Sequence, residues 1–277
     1  MSNVLITGCS SGFGLLTALR FARAGDRVVA TMRTPEKAPA ALTDPIAKEK
    51  LPITIGRLDV CDPASVAAAV EDAGQIDVLI NNAGIELRSS IEDASDADVQ
   101  RQFDTNVYGS LRMMRAVLPQ MRARKRGTIV NLSSIAGIVA RPFGGLYSAT
   151  KHAIEAISEA LHFEAAPMGI RVVLIEPGSY ATRLIENAID GDGFDASSPY
   201  WPVHLRFEEA LARLRAGTGG MQDAQEVADL VYTAVHDPTP RLRYLAGRDA
   251  TMIAGAYKAM DFEQYEQAMR QTMQWTD

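Results

Sequence analysis

The chain of 277 residues has two cysteines, Cys9 and Cys61, and four scattered histidines, His152, His162, His204 and His236. Two thiols make neither a disulfide framework nor a zinc quartet, and no histidine pair stands at metal-ligand spacing. No metal is expected. No apolar run approaches the ~20 residues of a membrane span. The amino terminus lacks a basic stretch followed by an apolar segment and a cleavage site, and a strand pattern begins at once. Neither a secretory signal nor a transit peptide is expected, and the reducing cytoplasm is the expected compartment. A net charge of −6 argues against a nucleic-acid surface. The basic run "RARKRG" at 122–127 ends a helical stretch, where cations complement the helix carboxyl end.

What is present is apolar residue, 47% of the chain, enough for a large core. Short β-rich runs alternate with helical stretches. Strands are expected at 4–7, 27–31, 52–58, 77–81, 127–133, 171–176 and 242–245. Helices are expected at about 14–24, 63–73, 94–119, 147–166 and 224–236. "NVLITG", "IDVLINN", "GTIVNLSS" and "IRVVLIEPG" are continuous apolar runs ending in small or polar residues, as strands buried on both faces read. The pattern predicts an α/β fold: a doubly wound parallel sheet of about seven strands with helices on both faces. One region, Thr182–Met221, breaks the rhythm with glycines, serines and prolines. It reads as a lid insertion (183–221) after the sixth strand of a single domain spanning 1–277.

In such sheets ligands bind at the carboxyl ends of strands. The first strand runs into "TGCSSGFG" and then a helix. Gly8, Gly12 and Gly14, with Ser10, Ser11 and Phe13 between them, make a glycine turn of the kind that admits a pyrophosphate at a helix amino end. A plain tight turn is the alternative. The second strand ends in Met32 and Arg33, with no acid where a ribose hydroxyl would be accepted. A guanidinium there suits a 2′-phosphate, so NADP(H) is expected over NAD(H). A solvated Arg33 and a ribose contact from Glu36 stay open.

"YSATK" opens a helix at Tyr147–Lys151. Four residues apart, the two side chains share a face. An ammonium beside a phenol lowers its pKa, and such a tyrosine exchanges a proton with an alcohol or ketone near neutrality. A nearby serine of "NLSS" can hydrogen-bond the substrate oxygen. By itself Y-x-x-x-K is common, and a buried structural tyrosine is its usual meaning.

Taken together, "TGCSSGFG", "LDV" at 58–60, "NNAG" at 81–84, "TNVYG" at 105–109, "SS" at 133–134, "YSATK" and "PGSYAT" at 177–182 resemble the short-chain dehydrogenase/reductase family over nearly the whole chain. "ARPFGGLYSATKHAIEAISEAL" and "ATMR" look most like its 17β-hydroxysteroid dehydrogenase type 1 and retinol dehydrogenase branch and related bacterial carbonyl reductases. The resemblance implies a Rossmann-like fold and a role for each position. Tyr147 is the implied acid/base. Lys151 lowers its pKa and holds the nicotinamide ribose. Ser134, rather than Ser133, polarises the substrate oxygen. Asn106 positions a water in a proton relay. Asp59 and Val60 contact the adenine, and Asn82, Ala83 and Gly84 line the cofactor. Pro177 and Gly178 flank the nicotinamide, with Tyr180 and Thr182 at its amide.

The substrate is expected to be a hydrophobic secondary alcohol or ketone, lined by Ile135, Phe143, Tyr180 and Trp201, with Val139, Leu146, Leu184, Phe194, Tyr200 and Phe207 as further candidates. Arg141 and Arg183 at the rim keep an acidic ketone open. A homodimer or homotetramer is implied by the family, and the apolar positions Met113, Met114, Val117, Ile154, Ile157 and Leu161 serve either subunit contact or core. The tail "DFEQYEQAMRQTMQW" is a candidate short helix over the entrance. The competing readings are a non-catalytic NADP-binding redox sensor of the same fold and a sugar-nucleotide epimerase or dehydratase. The retained Ser134, Tyr147, Lys151 and Asn106 disfavour the first. The glycine spacing and the lack of a carboxyl-terminal substrate domain disfavour the second.

Overall fold

The computed structural model describes residues 1–182, 188–217, 220–272 and 274. Its chain order is β1 (Asn3–Ile6), α1 (Gly12–Arg23), β2 (Arg27–Met32), α2 (Ala40–Glu49), β3 (Ile53–Arg57), α3 (Pro63–Ala73), β4 (Val78–Asn81) and β5 (Leu87–Arg88). There follow α4 (Asp96–Phe103), a π-helical turn (Asp104–Tyr108), α5 (Gly109–Arg124), β6 (Gly127–Leu132), α6 (Gly145–Ala165), β7 (Ile170–Pro177) and β8 (Ile189–Asp190). The last elements are α7 (Trp201–Gly217), α8 (Gln225–His236), β9 (Arg243–Ala246), α9 (Arg248–Ala259) and α10 (Phe262–Thr272).

Seven strands form one sheet in the order β3-β2-β1-β4-β6-β7-β9, with every neighbouring pair parallel. Successive side chains of a strand face opposite ways. Val4 and Ile6 of β1 therefore join Leu15, Ala18 and Phe21 of α1 and Val227 and Val231 of α8. Leu5 faces the other way and joins Met113, Met114 and Val117 of α5 and Val66 of α3. Both faces of the sheet are covered, which is why its strands read as unbroken apolar runs. The strand order reverses between β1 and β4, and that switch point is where a doubly wound sheet opens a crevice.

Three elements depart from the sequence reading. The single helix expected over 94–119 is α4, a π turn and α5. The wider turn at Asp104–Tyr108 inserts one residue into the helical ladder and turns Asn106 inward. Pro119 lies inside α5, which runs on to a left-handed Lys125 (φ 52°). α2 escaped detection because it contains Pro45 and buries only Leu42. The two-residue strands β5 and β8 pair in parallel and tie the chain after β4 to the region after β7.

Candidate active site

The glycine turn packs directly against the chain that leaves β4. Asn82 donates through Nδ2 to the carbonyls of Thr7 (2.8 Å) and Gly8 (3.0 Å), and the Thr7 hydroxyl accepts from the amides of Asn82 and Ala83. Gly8 has φ +73°, and a Cβ there would lie 2.9 Å from the Ala83 Cα. At Gly14 a Cβ would lie 2.4 Å from Asn82 Nδ2. Close packing of two strand ends thus requires these two glycines. Gly12, also left-handed (φ +56°), faces Thr182, whose Cβ is 3.5 Å from its virtual Cβ.

Over this turn runs a groove of about 430 Å³. It brings together Gly8, Ser10, Ser11, Gly12, Phe13, Arg33, Asp59, Val60, Asn82, Ala83, Gly84, Tyr147, Lys151 and Thr182. Gly14 stands behind the wall. Arg33 is exposed just past β2, in the same stretch of groove as Ser10, Ser11 and Met32, and Met32 is buried at the strand end. Glu36 is not part of the groove wall. Ser11 caps α1 without using its side chain on the helix amides. The donors and glycines fit a dinucleotide phosphate, and Arg33 adds a cation to the same groove as Ser10 and Ser11.

At the far end of the groove stand Tyr147 and Lys151, with Ser134 beside Tyr147. Ser134 caps a short 3₁₀ turn, Ile135–Gly137. Its Oγ accepts from the Ala136 amide (3.1 Å), and its one O–H donates to the Pro177 carbonyl (3.4 Å) or, in its place, to the Tyr147 phenol. The neighbouring Ser133 points the other way, to a buried position beside Gly137 and Glu155. Lys151 donates from Nζ to the Leu132 carbonyl at 2.6 Å, and Nζ lies 5.5 Å from the Tyr147 ring centroid. Asn106 accepts from the Ile85 amide and donates to the Ile85 carbonyl and the Thr150 hydroxyl. Both of its N–H donors are therefore engaged in holding the 82–86 loop to α6.

Burial, Ser134 and Arg141 set the electrostatics around Tyr147. Burial pushes the phenol above its ordinary pKa, and the opposing influences are the Ser134 hydrogen bond first and the Arg141 guanidinium second. The Lys151 ammonium is directed at Leu132. Burial lowers it from 10.5 to about 8, partly offset by the Glu155 carboxylate.

Tyr147 and Ser133 line both the groove and a second cavity of about 420 Å³, which also takes in Ser134. Its walls include Ile135 and Val139 from the loop after β6, and Pro177, Gly178, Tyr180 and Thr182 after β7. Phe207, Leu211 and Leu214 of α7, Ile253 of α9, and Phe262, Tyr265 and Met269 of α10 complete it. Phe143 and Trp201, expected at the substrate, are not in this wall. Phe143, left-handed at φ 57°, stacks on Phe194 at 5.7 Å, and Trp201 meets Phe194 and His204 at 5.3 Å. Aromatic rings bury more area against one another than along an open wall, and this knot pins α7 to the loop. Phe194 belongs to it, and Tyr200 bonds Glu92 at the surface. Tyr180 braces the wall, its ring edge-on to Phe13 at 5.6 Å and its hydroxyl 3.4 Å from Glu226. Arg183 and Leu184 lie outside the described residues. Arg141 is not a free cation at the rim, because it pairs with the buried Glu86. Glu86 and α9 were missed, whereas the tail read as a candidate short helix over the entrance does form α10 on the cavity wall.

Residues 2–192 match the family model for short chain dehydrogenase. The uncharacterized oxidoreductase YusZ of Bacillus subtilis is 37% identical over 250 residues, covering 88% of each chain. Retinol dehydrogenase 8 of Bos taurus is 36% identical, covering 93% of this chain and 85% of its own. The 17-beta-hydroxysteroid dehydrogenase type 1 of Mus musculus is 37% identical, covering 88% of this chain and 73% of its own. A short-chain dehydrogenase structure from Streptomyces avermitilis superimposes with a TM-score of 0.81 at 31% identity, covering 98% of this chain and all of its own. ElxO with NADP bound gives 0.73 at 26% identity, covering 94% and 100%. The chain is a short-chain dehydrogenase, an oxidoreductase of the branch that holds retinol dehydrogenase 8 and 17-beta-hydroxysteroid dehydrogenase type 1.

Proposed function

We propose that the protein is an NADP(H)-dependent oxidoreductase that interconverts an apolar secondary alcohol and its ketone. One observation carries the reading: Tyr147, beside Ser134 and with the Lys151 Nζ 5.5 Å from its ring centroid, stands where the groove and the apolar cavity meet. Ketone reduction needs a hydride and a proton, and bound nicotinamide supplies the hydride. The phenol of Tyr147 gives its proton to the substrate oxygen, which the Ser134 hydroxyl holds and polarises. Ser134 and Arg141 then stabilise the phenolate, and Lys151, with a pKa near neutrality, restores its proton. Alcohol oxidation runs these transfers backwards. Asn106 keeps the loop in place, and any water it positions must use its remaining acceptor sites.

Arg33 supports NADP(H) over NAD(H). The apolar walls support a hydrophobic substrate, and relatives named for a retinol and a 17β-hydroxysteroid agree with that class. Met113, Met114, Val117 and Ile154 are buried within the subunit, so the homodimer or homotetramer we infer would use other residues, among them the exposed Tyr108 and Phe163 of the π turn and α6. A cytoplasmic location remains part of the proposal. No described helix is long and apolar enough to cross a membrane. The test is loss of NADPH absorbance against a panel of hydrophobic ketones, repeated with NADH. Turnover faster with NADPH supports the reading. Tight NADPH binding with no turnover of any ketone would favour a redox sensor instead.

A further inference from the structure

The cavity is not uniformly apolar where it meets Tyr147. Glu86, from the loop between β4 and β5, lines both the cavity and the groove, with a side chain 8% exposed. Its Oε1 pairs with Nη2 of Arg141, from the loop before α6. The guanidinium lies across Gly144, the residue that caps α6. A Cβ on Gly144 would stand 2.7 Å from Arg141 Nε and 3.1 Å from Cζ. A side chain there would displace the guanidinium from this seat.

The seat is a poor one for an isolated cation. A helix amino end carries partial positive charge, and burial lowers the guanidinium pKa. Glu86 compensates, at the cost of burying a carboxylate as well. Such a pair adds little to folding compared with apolar residues of the same volume. Its position suggests another use: it faces the space that a reacting carbonyl must enter to reach Tyr147, and the guanidinium acts on the phenol itself. Glu208 and Arg215 of α7 line the same cavity and act on Arg141 with opposite signs, so the site stays close to neutral.

We propose that the Glu86–Arg141 pair selects substrates bearing a second, uncharged oxygen near the reacting carbon, such as a 3-oxo ester or a hydroxyketone. A guanidinium has five N–H donors in a planar fork. Glu86 engages one edge, and the other donors serve the second oxygen. A ketone with a single oxygen dries this guanidinium without giving it an acceptor, which sites built for a hydrogen bond penalise heavily. A carboxylate in the same place meets the buried charge of Glu86 and is rejected. The inference rests on the function proposed above and narrows its substrate class.

Three matched compounds test it with NADPH: ethyl 3-oxooctanoate, 3-oxooctanoate and 6-undecanone. The wild-type protein is expected to prefer the ester. Because esters of this type are intrinsically more reactive, the decisive quantity is the ester-to-monoketone ratio of kcat/KM in the wild type against Arg141→Met. That ratio is expected to fall by about 10- to 100-fold; 6-undecanone turnover falls too, because Arg141 also stabilises the phenolate, and the ratio cancels that common loss. Glu86→Gln is expected to raise the acid-to-ester ratio by about tenfold. NADPH binding by each variant checks that it is folded, and Arg141→Lys, whose shorter head reaches less far, should give an intermediate ratio. An ester-to-monoketone ratio within twofold of wild type in both Arg141 variants, or an unchanged acid-to-ester ratio in Glu86→Gln, overturns the proposal. Turnover of other ketones but none of these three overturns it alone. Turnover of no ketone at all removes the proposed function and this inference with it.

Discussion

The ammonium of Lys151 is bonded to the main-chain carbonyl of Leu132 at 2.6 Å, so the lysine is anchored to the end of β6 rather than to the tyrosine it follows. The anchor sets its distance from the Tyr147 ring, and burial brings its pKa down to about 8. Lys151 is therefore poised to lose and regain a proton where an unperturbed lysine would stay charged.

That poise gives a pH dependence. If the ammonium form restores the proton to Tyr147, ketone reduction should fall as pH rises through about 8. Arg at position 151, charged throughout this range, should move the fall to higher pH while lowering the rate. A kcat/KM profile for wild type and Lys151→Arg checks this. Coincident alkaline limbs would contradict it.

Removing the buried charge separates chemistry from folding. Lys151→Met should cost about 10²- to 10⁴-fold in kcat. It also relieves the desolvation that lowers the lysine pKa, so the melting temperature should hold or rise on the order of 2–4 °C. Thermal melts beside turnover rates measure both. A large drop in melting temperature would make the activity loss a folding effect.

Arg33 sets the expected cofactor choice. Arg33→Asp should raise the NADPH Michaelis constant by about tenfold or more, the loss of one charge-assisted contact, and improve NADH in return. Unchanged Michaelis constants for both would remove the argument for NADP(H).

A second charged cluster lies at the sheet edge, where exposed Arg243 and Glu159 meet the buried Glu155 and Glu176. Arg243 of β9 bonds Glu155 (2.9 Å) and Glu159 (2.6 Å) and stands 3.6 Å from Glu176. Burial, then the Glu155 charge, push Glu176 from 4.5 to about 7 against the pull of Arg243. Between those values the folded chain binds more protons than the unfolded one, so stability falls as pH rises through that window. Glu176→Gln removes the term. Its melting temperature should vary less with pH and exceed the wild type on the order of 2–4 °C at about pH 8. Parallel melting curves from about pH 5 to 8 would contradict this.

Much of this was legible in the sequence. Apolar runs ending in "ITG", "INN" and "NLSS" mark buried parallel strands, and their carboxyl ends carry Gly8, Asn82 and Ser134. Other features were not. A π turn at Asn106 has nearly the same apolar spacing as the helix around it. Phe143 and Trp201 show the aromatic pattern of a cavity wall and equally that of the knot they form. The Glu86–Arg141 pair joins two loops that no local pattern connects, and the influence of Arg141 on Tyr147 exists only once the chain has folded. Spacing places Tyr147 and Lys151 on one face but does not show that the Leu132 carbonyl accepts from the ammonium.

The measurement nearest the centre is turnover by Tyr147→Phe. The variant keeps the ring and loses one oxygen, so NADPH binding and melting temperature should stay close to wild type. NADPH-dependent ketone reduction should fall by about 10²- to 10⁴-fold across the pH range. A folded, NADPH-binding Tyr147→Phe protein that reduces ketones at near the wild-type rate would show that the proton comes from elsewhere.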